Sequence, residues 1–223
     1  MKGSNSRPVW PSRIPRWMHR PLAAIWPGTV WATQANRAVH LTFDDGPDPD
    51  VTLWVLEELK ARGMLATFFV VGDQAAKHGD VLRQVAESGH ALGGHTMAHE
   101  HGWRTPTATY VQSARASLDV VAAHRRSGTP LFRPPYGKFT RAQASALAPR
   151  AKLVMWDVLS GDYAAKGPRG AVAVLRRLQR HTRPGSVVVF HDSAKCGDVL
   201  RQVLPAYLDW LAARGWTSCA LDA

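Results

Sequence analysis

The sequence has few cysteines and no long apolar run. Cys196 and Cys219 are its two cysteines, too few for a disulfide framework or a zinc finger, so we expect two ordinary packed or surface thiols. No apolar stretch is long enough to span a bilayer, and repeated prolines interrupt the start of the chain, which disfavours a signal peptide. The sequence therefore indicates a protein that is cytoplasmic or peripheral to a membrane.

Acidic residues are absent from residues 1–40, although this stretch carries six basic residues of a chain with net charge +11. Basic residues interleaved with tryptophan suit an anionic surface: a membrane headgroup layer, nucleic acid or an acidic glycan. The first of these suggests peripheral membrane contact through residues 1–31. The alternative is a solvated tail whose tryptophans pack on the domain. The remaining arginines are scattered through predicted helices, so nucleic acid is not expected as a partner. We divide the chain into this N-terminal segment, 1–37, and a main domain, 38–223. The tryptophans interleaved with the basic residues of the N-terminal segment are Trp10, Trp17, Trp26 and Trp31.

After residue 37, apolar runs alternate with helix-like stretches. The continuous run 65–72 is typical of a strand covered on both faces, whereas 50–63 has helical spacing and ends at Gly63. Such alternation predicts an α/β fold with about seven parallel strands and outer helices, a number that could close into a barrel. In that fold the chemistry lies at the carboxyl ends of the strands.

Two adjacent carboxylates end the first predicted strand, at Asp44 and Asp45, and Gly46 follows at once. Histidines at positions 95 and 99 would face the same way on a helical turn, within reach of one metal ion. Two histidines and one aspartate make a catalytic zinc site, and the second aspartate could take a proton from a metal-activated water. An Asx-type turn is the alternative for the aspartates, and His90 and His101 leave the histidine assignment open.

Further polar side chains follow later predicted strands. Arg133 and Tyr136 come after the run at 131–132, Asp162 after the run beginning at 151, and His191 after 186–190. Each of these residues taken alone could be a solvent-facing polar group. In a parallel barrel the strand ends meet on one face, so the sequence predicts that they converge with the two aspartates.

The motifs TFDDGPD, HTMAH, RPPYG and VVVFHDS resemble, in order and spacing, those of the polysaccharide deacetylases, also called the NodB homology or carbohydrate esterase 4 group. The resemblance covers roughly residues 38–221. It implies a distorted (β/α) barrel, NodB-like and often seven-stranded, as the catalytic domain. It also implies metal-dependent hydrolysis of an acetamide on N-acetylglucosamine units of a polysaccharide or cell-envelope glycan, or of an O-acetyl ester.

Carried over by position, the resemblance also implies residue roles. The metal ligands would be Asp45, His95 and His99, holding a divalent ion, foremost Zn²⁺, with Co²⁺, Ni²⁺ or Mn²⁺ as alternatives. Asp44 would be the general base, oriented by Arg133, and His191 the general acid, oriented by Asp162. The Tyr136 backbone N–H would stabilise the oxyanion. The substrate contacts would be Tyr136, Pro135, Trp156 and Tyr163, although Trp156 is equally compatible with the core.

One motif departs from the family pattern of two aspartates three apart followed by tryptophan. Leu159 stands at the first aspartate position, Asp162 at the second, and Tyr163 replaces the tryptophan. We therefore expect an altered sugar pocket, with Asp157 a neighbour and not a substitute. Two alternative functions stay open: a deacetylase or deformylase of a lipid-linked amino sugar, and a catalytically inactive carbohydrate-binding homologue.

Overall fold

A parallel sheet organises the chain in the computed structural model, which describes Pro15, Met18, Pro21 and residues 28–124 and 128–221. The strand order is β1-β6-β5-β4-β3-β2-β8-β7, and β9 pairs with β2 off this path. All eight pairings between these strands are parallel, and one isolated antiparallel bridge joins Ala32 to Ser186. The strands are β1 (Thr29–Val30), β2 (Ala38–Asp44), β3 (Ala66–Val70), β4 (Ala91–Gly94), β5 (Leu131–Phe132), β6 (Lys152–Val154), β7 (Val158–Leu159), β8 (Val187–His191) and β9 (Thr217–Ser218).

Helices connect the strands, as a parallel sheet requires. Among the described residues they are α1 (Val51–Lys60), α2 (Gly72–Lys77), α3 (Gly79–Glu87), α4 (Thr107–Ala122), α5 (Arg141–Leu147), α6 (Gly167–His181) and α7 (Gly197–Ala212). Single 3₁₀ turns lie at Pro135–Gly137 and Asp162–Ala164. Thr140 begins α5 through a capping box with Gln143, a local signal that fixes where this helix starts.

The sheet separates two hydrophobic clusters because its side chains alternate between its faces. In β8, Val188 and Phe190 join the cluster that lies under α1 and α7, whereas Val187 and Val189 join the second cluster with Phe132. Phe190 stacks against Phe43 of β2, with ring centroids 5.7 Å apart. The strands are therefore buried on both faces, as their continuous apolar sequence predicts.

The α/β fold with parallel strands and outer helices is confirmed, but the strand number is higher than seven. The predicted single strand at the run beginning at 151 is two short strands, β6 and β7. β1 lies in the predicted N-terminal segment and pairs with β6, and Trp31 next to it is buried. The sheet thus begins before residue 38. The short helix α2 was not predicted.

The predicted membrane contact through residues 1–31 falls mostly outside the described residues, which include none of Trp10, Trp17 and Trp26. Within the part of the chain that the structure describes, no helix has the length and apolar character needed to cross a bilayer.

Candidate active site and metal centre

The predicted site residues converge at the carboxyl edge of the sheet. Asp44 is the last residue of β2 and pairs in register with His191 of β8. His95 follows β4, and Arg133 follows β5 directly. Because all these strands run parallel, their carboxyl ends lie at the same edge. This topology brings together residues that are separated by up to 147 positions in sequence.

Asp45, His95 and His99 form a compact group of possible metal ligands. Their donor atoms lie within 4.8 Å of one another. The Asp45 Oδ1 atom is 3.1 Å from His99 Nε2 and 3.6 Å from His95 Nε2. The His95 Nδ1 atom lies 2.7 Å from the Arg133 carbonyl oxygen. Since a carbonyl only accepts, Nδ1 donates there, which leaves the Nε2 lone pair facing Asp45, as a metal ligand requires.

The helical turn considered for His95 and His99 is wrong. Residues 95–100 form an irregular loop after β4. Thr96 and His99 have φ values of 62° and 56°, in the left-handed region that non-glycine residues rarely adopt. Asp45 also lies there, with φ of 80°. Two of the three candidate ligands therefore have strained backbones, and such strain is concentrated at functional sites.

The chemistry of this donor set fits a divalent cation. Asp45 Oδ1 is buried and forms no hydrogen bond of acceptable geometry with the residues that the structure describes, a costly arrangement unless another group uses the oxygen. Burial alone would raise the pKa of Asp45, but His99 and the charges of His191 and His95 lower it well below its usual range. Burial lowers the pKa of His95 to about 4. An ionised carboxylate and neutral imidazoles are the forms that bind metal.

Asp44 is held by a fully buried arginine. The Arg133 Nη1 atom donates to Asp44 Oδ1 at 2.8 Å and to the Thr42 hydroxyl at 2.6 Å. Its other nitrogens donate to the carbonyls of Val154 and Met155. Burial lowers the pKa of Arg133, although the Asp44 charge opposes this. The ion pair fixes the Asp44 carboxylate, and three further hydrogen bonds hold the guanidinium in place.

His191 is held by Asp162 on the other side of the edge. Its Nδ1 atom lies 2.8 Å from Asp162 Oδ1, and its backbone N–H donates to Oδ2 at 2.8 Å. Ser160 and the Tyr163 N–H also donate to Oδ1. Burial alone would lower the pKa of His191, but the Asp162 carboxylate raises it to about 9. His191 is therefore a cation at neutral pH and can donate a proton.

Asp192 is a site residue that the sequence reasoning missed. Its Oδ1 atom accepts the Gly46 N–H at 3.2 Å, and Oδ2 accepts the Thr52 hydroxyl at 2.6 Å. A methyl group at Gly46 would collide with this carboxyl. Burial raises the pKa of Asp192 to about 7. Asp192 thus clamps the turn that presents Asp45, and its position next to His191 was the signal that could have identified it.

The RPPYG segment places Tyr136 beside the three candidate metal ligands, Asp45, His95 and His99, which we call the metal group. Tyr136 is 53% exposed, with φ of 59° between the buried residues Pro135 and Gly137. Its ring packs edge-on to His99 at 4.5 Å and lies 5.2 Å from the His101 ring. Tyr136 can therefore meet a ligand at the metal group, whereas the burial of Pro135 favours a supporting position.

The other predicted substrate contacts differ in exposure. Trp156 is 5% exposed and its ring lies 5.8 Å from the Arg133 guanidinium, which favours the core alternative. Tyr163 is 37% exposed, with its ring 5.3 Å from that of His191. Leu159 belongs to the core cluster. Asp157 accepts hydrogen bonds from the Ser186 hydroxyl and the Val187 N–H, a structural contact at the amino end of β8, away from the carboxyl ends of the strands.

A cleft of about 350 Å³ opens next to Asp45 and His99. Polar side chains of α2 and Ser193 line this cleft, so it offers hydrogen-bonding groups to a polar ligand. Its lining residues are Asp45, Val71, Asp73, Gln74, Lys77, Ala98, His99 and Ser193.

Sequence comparisons identify the family to which the chain belongs. The polysaccharide deacetylase family profile matches residues 32–151. A chitooligosaccharide deacetylase of Bradyrhizobium is 35% identical over 175 residues, which cover 73% of this chain and 74% of that protein. The chain belongs to the polysaccharide deacetylase family. A peptidoglycan-N-acetylglucosamine deacetylase of Bacillus cereus is 31% identical over 160 residues. These residues cover 71% of this polysaccharide deacetylase homologue but only 57% of the Bacillus protein.

Solved structures of polysaccharide deacetylases share the fold. A peptidoglycan N-acetylglucosamine deacetylase in complex with 4-naphthalen-1-yl-N-oxidanyl-benzamide superposes with TM-score 0.80 at 25% identity, covering 89% of this chain and 93% of that one. A carbohydrate esterase 4 pseudoenzyme from Bacillus anthracis superposes with TM-score 0.74 at 19% identity, covering 86% and 66%. The fold therefore occurs with and without activity, and the function of this family member must be argued from its site residues.

Proposed function

We propose that this polysaccharide deacetylase homologue removes N-acetyl groups from N-acetylglucosamine-type units of a polysaccharide or cell-envelope glycan. One observation carries the proposal: the Asp45, His95 and His99 donor atoms meet within 4.8 Å, between a carboxylate fixed by arginine and a histidine fixed by aspartate. This set supplies a cation site, a base and an acid on one face.

A divalent cation, foremost Zn²⁺, would be held by Asp45, His95 and His99. When bound, such an ion lowers the pKa of water and polarises a carbonyl oxygen. The donor set of one carboxylate and two imidazoles leaves room for non-protein ligands, as catalytic zinc sites do. Co²⁺, Ni²⁺ and Mn²⁺ accept the same donor types, so the proposal extends to them.

Asp44 acts as the general base in this proposal. Arg133 donates to one of its oxygens, Oδ1, and this charge-assisted hydrogen bond holds the carboxylate in place. The other oxygen is then available to accept a proton from the attacking water. Because Arg133 is itself held by Thr42 and two carbonyls, the base cannot rotate away from this position.

His191 acts as the general acid. An amide nitrogen is a poor leaving group until it is protonated, and His191 carries a proton at neutral pH because Asp162 raises its pKa to about 9. Asp162 holds Nδ1, so Nε2 is the atom that donates. Tyr136 contributes its backbone N–H to the developing oxyanion, which supplements the cation.

The decisive experiment compares His191→Ala with the unaltered protein on two substrates. Acetate release from chitopentaose should fall about 10²–10⁴-fold, the usual contribution of a general acid. Cleavage of 4-nitrophenyl acetate should fall far less, because nitrophenolate departs without a proton. Equal losses on both substrates would refute the acid role. No acetate release by the unaltered, zinc-loaded protein would favour the inactive carbohydrate-binding alternative.

A lipid-linked amino sugar is the second candidate substrate, with deacetylation or deformylation as the reaction. The supporting observation is the basic, tryptophan-bearing sequence of residues 1–31, which suits an anionic membrane surface. Deletion of residues 1–27 should reduce sedimentation with anionic phospholipid vesicles and spare chitopentaose hydrolysis. Unchanged sedimentation would dismiss the membrane candidate.

A further inference from the structure

A row of aromatic rings leads from the metal group to Trp103, on a side of the site that the proposed function does not use. The His99 ring contacts the Tyr136 ring, which lies 5.2 Å from the His101 ring. The His101 ring in turn lies 6.1 Å from the ring of Trp103. The rings of these four residues form a continuous path. We call Trp103, His101 and Tyr136 the aromatic arm.

Trp103 is both exposed and fixed. It is 57% exposed, the largest exposed fraction among the large apolar side chains that the structure describes. Its Nε1 atom nevertheless donates to the Phe139 carbonyl at 3.0 Å, and the Lys138 Nζ atom lies 4.1 Å from its ring centroid. A tryptophan held in the open offers a rigid apolar face at little entropic cost to a ligand.

The loop beneath Trp103 is anchored to α5. The Gln143 side chain is fully buried and donates to the Gly102 carbonyl at 2.8 Å. Gly102 also approaches the Lys138 backbone so closely that a methyl group would collide with its carbonyl. The aromatic arm is therefore preorganised by contacts to the segment that carries Tyr136, and both sides of the arm are positioned together.

Positive charge gathers around the aromatic arm. Arg104 follows Trp103 directly in the chain, and its backbone N–H donates to the His101 carbonyl at 2.8 Å. Arg104 is exposed, whereas Lys138 is buried at 9% exposure and acts from beneath the Trp103 ring. The neighbouring acid, Glu100, is turned inward to the Ser113 hydroxyl and the Ala98 N–H. The field at the arm therefore favours an anion.

We propose that the aromatic arm, with Arg104, is a subsite for a sugar unit that carries a carboxylate and neighbours the unit being deacetylated. The apolar C–H face of a pyranose packs on the Trp103 ring, and Arg104 pairs with the carboxylate. The inference rests on the proposed function and extends it: the preferred substrate is an acidic glycan, with an acetylated amino sugar at the metal group. A neutral homopolymer binds without the ionic contribution.

The test measures binding by calorimetry, which does not depend on turnover. Protein freed of divalent cations, so that neither ligand is hydrolysed during the titration, is titrated with a tetrasaccharide of alternating N-acetylglucosamine and N-acetylmuramic acid with free carboxylates, and with neutral chitotetraose. The unaltered protein should bind the acidic ligand about tenfold more tightly, equivalent to about 1.4 kcal/mol. Arg104→Gln should reduce this preference to less than twofold. Trp103→Ala should weaken both ligands about tenfold.

Arg214→Gln is the matched control, because Arg214 also lies over a tryptophan ring, that of Trp210 at 4.0 Å, but beyond the end of α7. It should leave both affinities unchanged. Equal affinity for the two ligands in the unaltered protein, or an unchanged preference in Arg104→Gln, would overturn the inference. If the protein binds as expected but releases no acetate, the proposed function fails and the subsite stands.

Discussion

Asp44 carries the base assignment at the scale of single residues. Asp44→Asn keeps an oxygen for Arg133 but cannot take a proton. We expect kcat for acetate release to fall about 10²–10⁴-fold, the range of general base catalysis, while zinc content stays at one ion per chain. Asp119→Asn, which alters an exposed carboxylate paired with Arg150, should match the unaltered protein. Turnover within twofold of normal in Asp44→Asn would remove the base assignment.

Arg133 should matter for stability as well as for turnover. It is fully buried with Asp44, so Arg133→Met leaves a buried carboxylate without its partner, at a cost of about 3–5 kcal/mol. Arg201→Met breaks an ion pair with the exposed Asp50 and should cost about 1 kcal/mol or less. Urea unfolding measures both free energies of unfolding. A similar loss in the two variants would contradict the buried-pair account.

We expect the pKa of His191 to set the alkaline limit of activity. A general acid works only while protonated, so kcat/KM should fall as pH rises through about 9, the pKa that Asp162 gives His191. Asp162→Asn removes the charge that raises this pKa, so the alkaline limb should move to lower pH by roughly 1–2 units. The Asp119→Asn profile should not move. An unshifted limb in Asp162→Asn would separate Asp162 from the acid.

The turn between β2 and α1 is the decisive feature at the scale of elements. Gly46→Ala forces a methyl group against the Asp192 carboxyl, which should cost about 1–3 kcal/mol as overpacking does and displace Asp45. Gly79→Ala, at the start of α3 where a methyl group meets nothing within 4 Å, should be neutral or slightly stabilising. Thermal unfolding and zinc affinity measure both effects. Equal zinc affinity in the two variants would contradict the role of the turn.

Sequence patterns predicted elements better than they predicted loops. Strands that are buried on both faces are continuous apolar runs in the sequence, and such runs predicted β2, β3 and β8. The loop of His95 and His99 did not, because spacing of four also fits a helical turn and the left-handed φ values depend on tertiary contacts. Two-residue strands such as β1 and β7 are too short to show any periodicity.

The candidate site could be assembled from sequence only through the family motifs. Spacing alone could not pair Asp44 with Arg133, because 89 residues separate them. The role of Asp192 and the aromatic arm stayed hidden for a physical reason: hydrogen bonds across the sheet edge and exposure of one tryptophan are properties of the folded chain. The Leu159 and Tyr163 departures were visible in the sequence, but their exposure was not.

At the scale of the whole molecule, the fold positions the candidate site, and particular side chains determine its chemistry. A pseudoenzyme shares this fold at TM-score 0.74, so the sheet alone does not make a catalyst. In this chain the strand ends bring together a carboxylate and two imidazoles, a second carboxylate held by Arg133 and a third imidazole held by Asp162. The account therefore depends on those side chains acting as one cation site with flanking acid and base.

Zinc titration by calorimetry tests that claim most directly. We expect one tight site in the unaltered protein and in His124→Ala, which changes a histidine beyond the end of α4. His95→Ala and His99→Ala should each lose at least about 100-fold in zinc affinity, because each variant removes one of the three ligands. Removal of only the hydrogen-bond partner of a ligand already costs about 10–100-fold in metal affinity. Unchanged stoichiometry and affinity in both histidine variants would contradict the account.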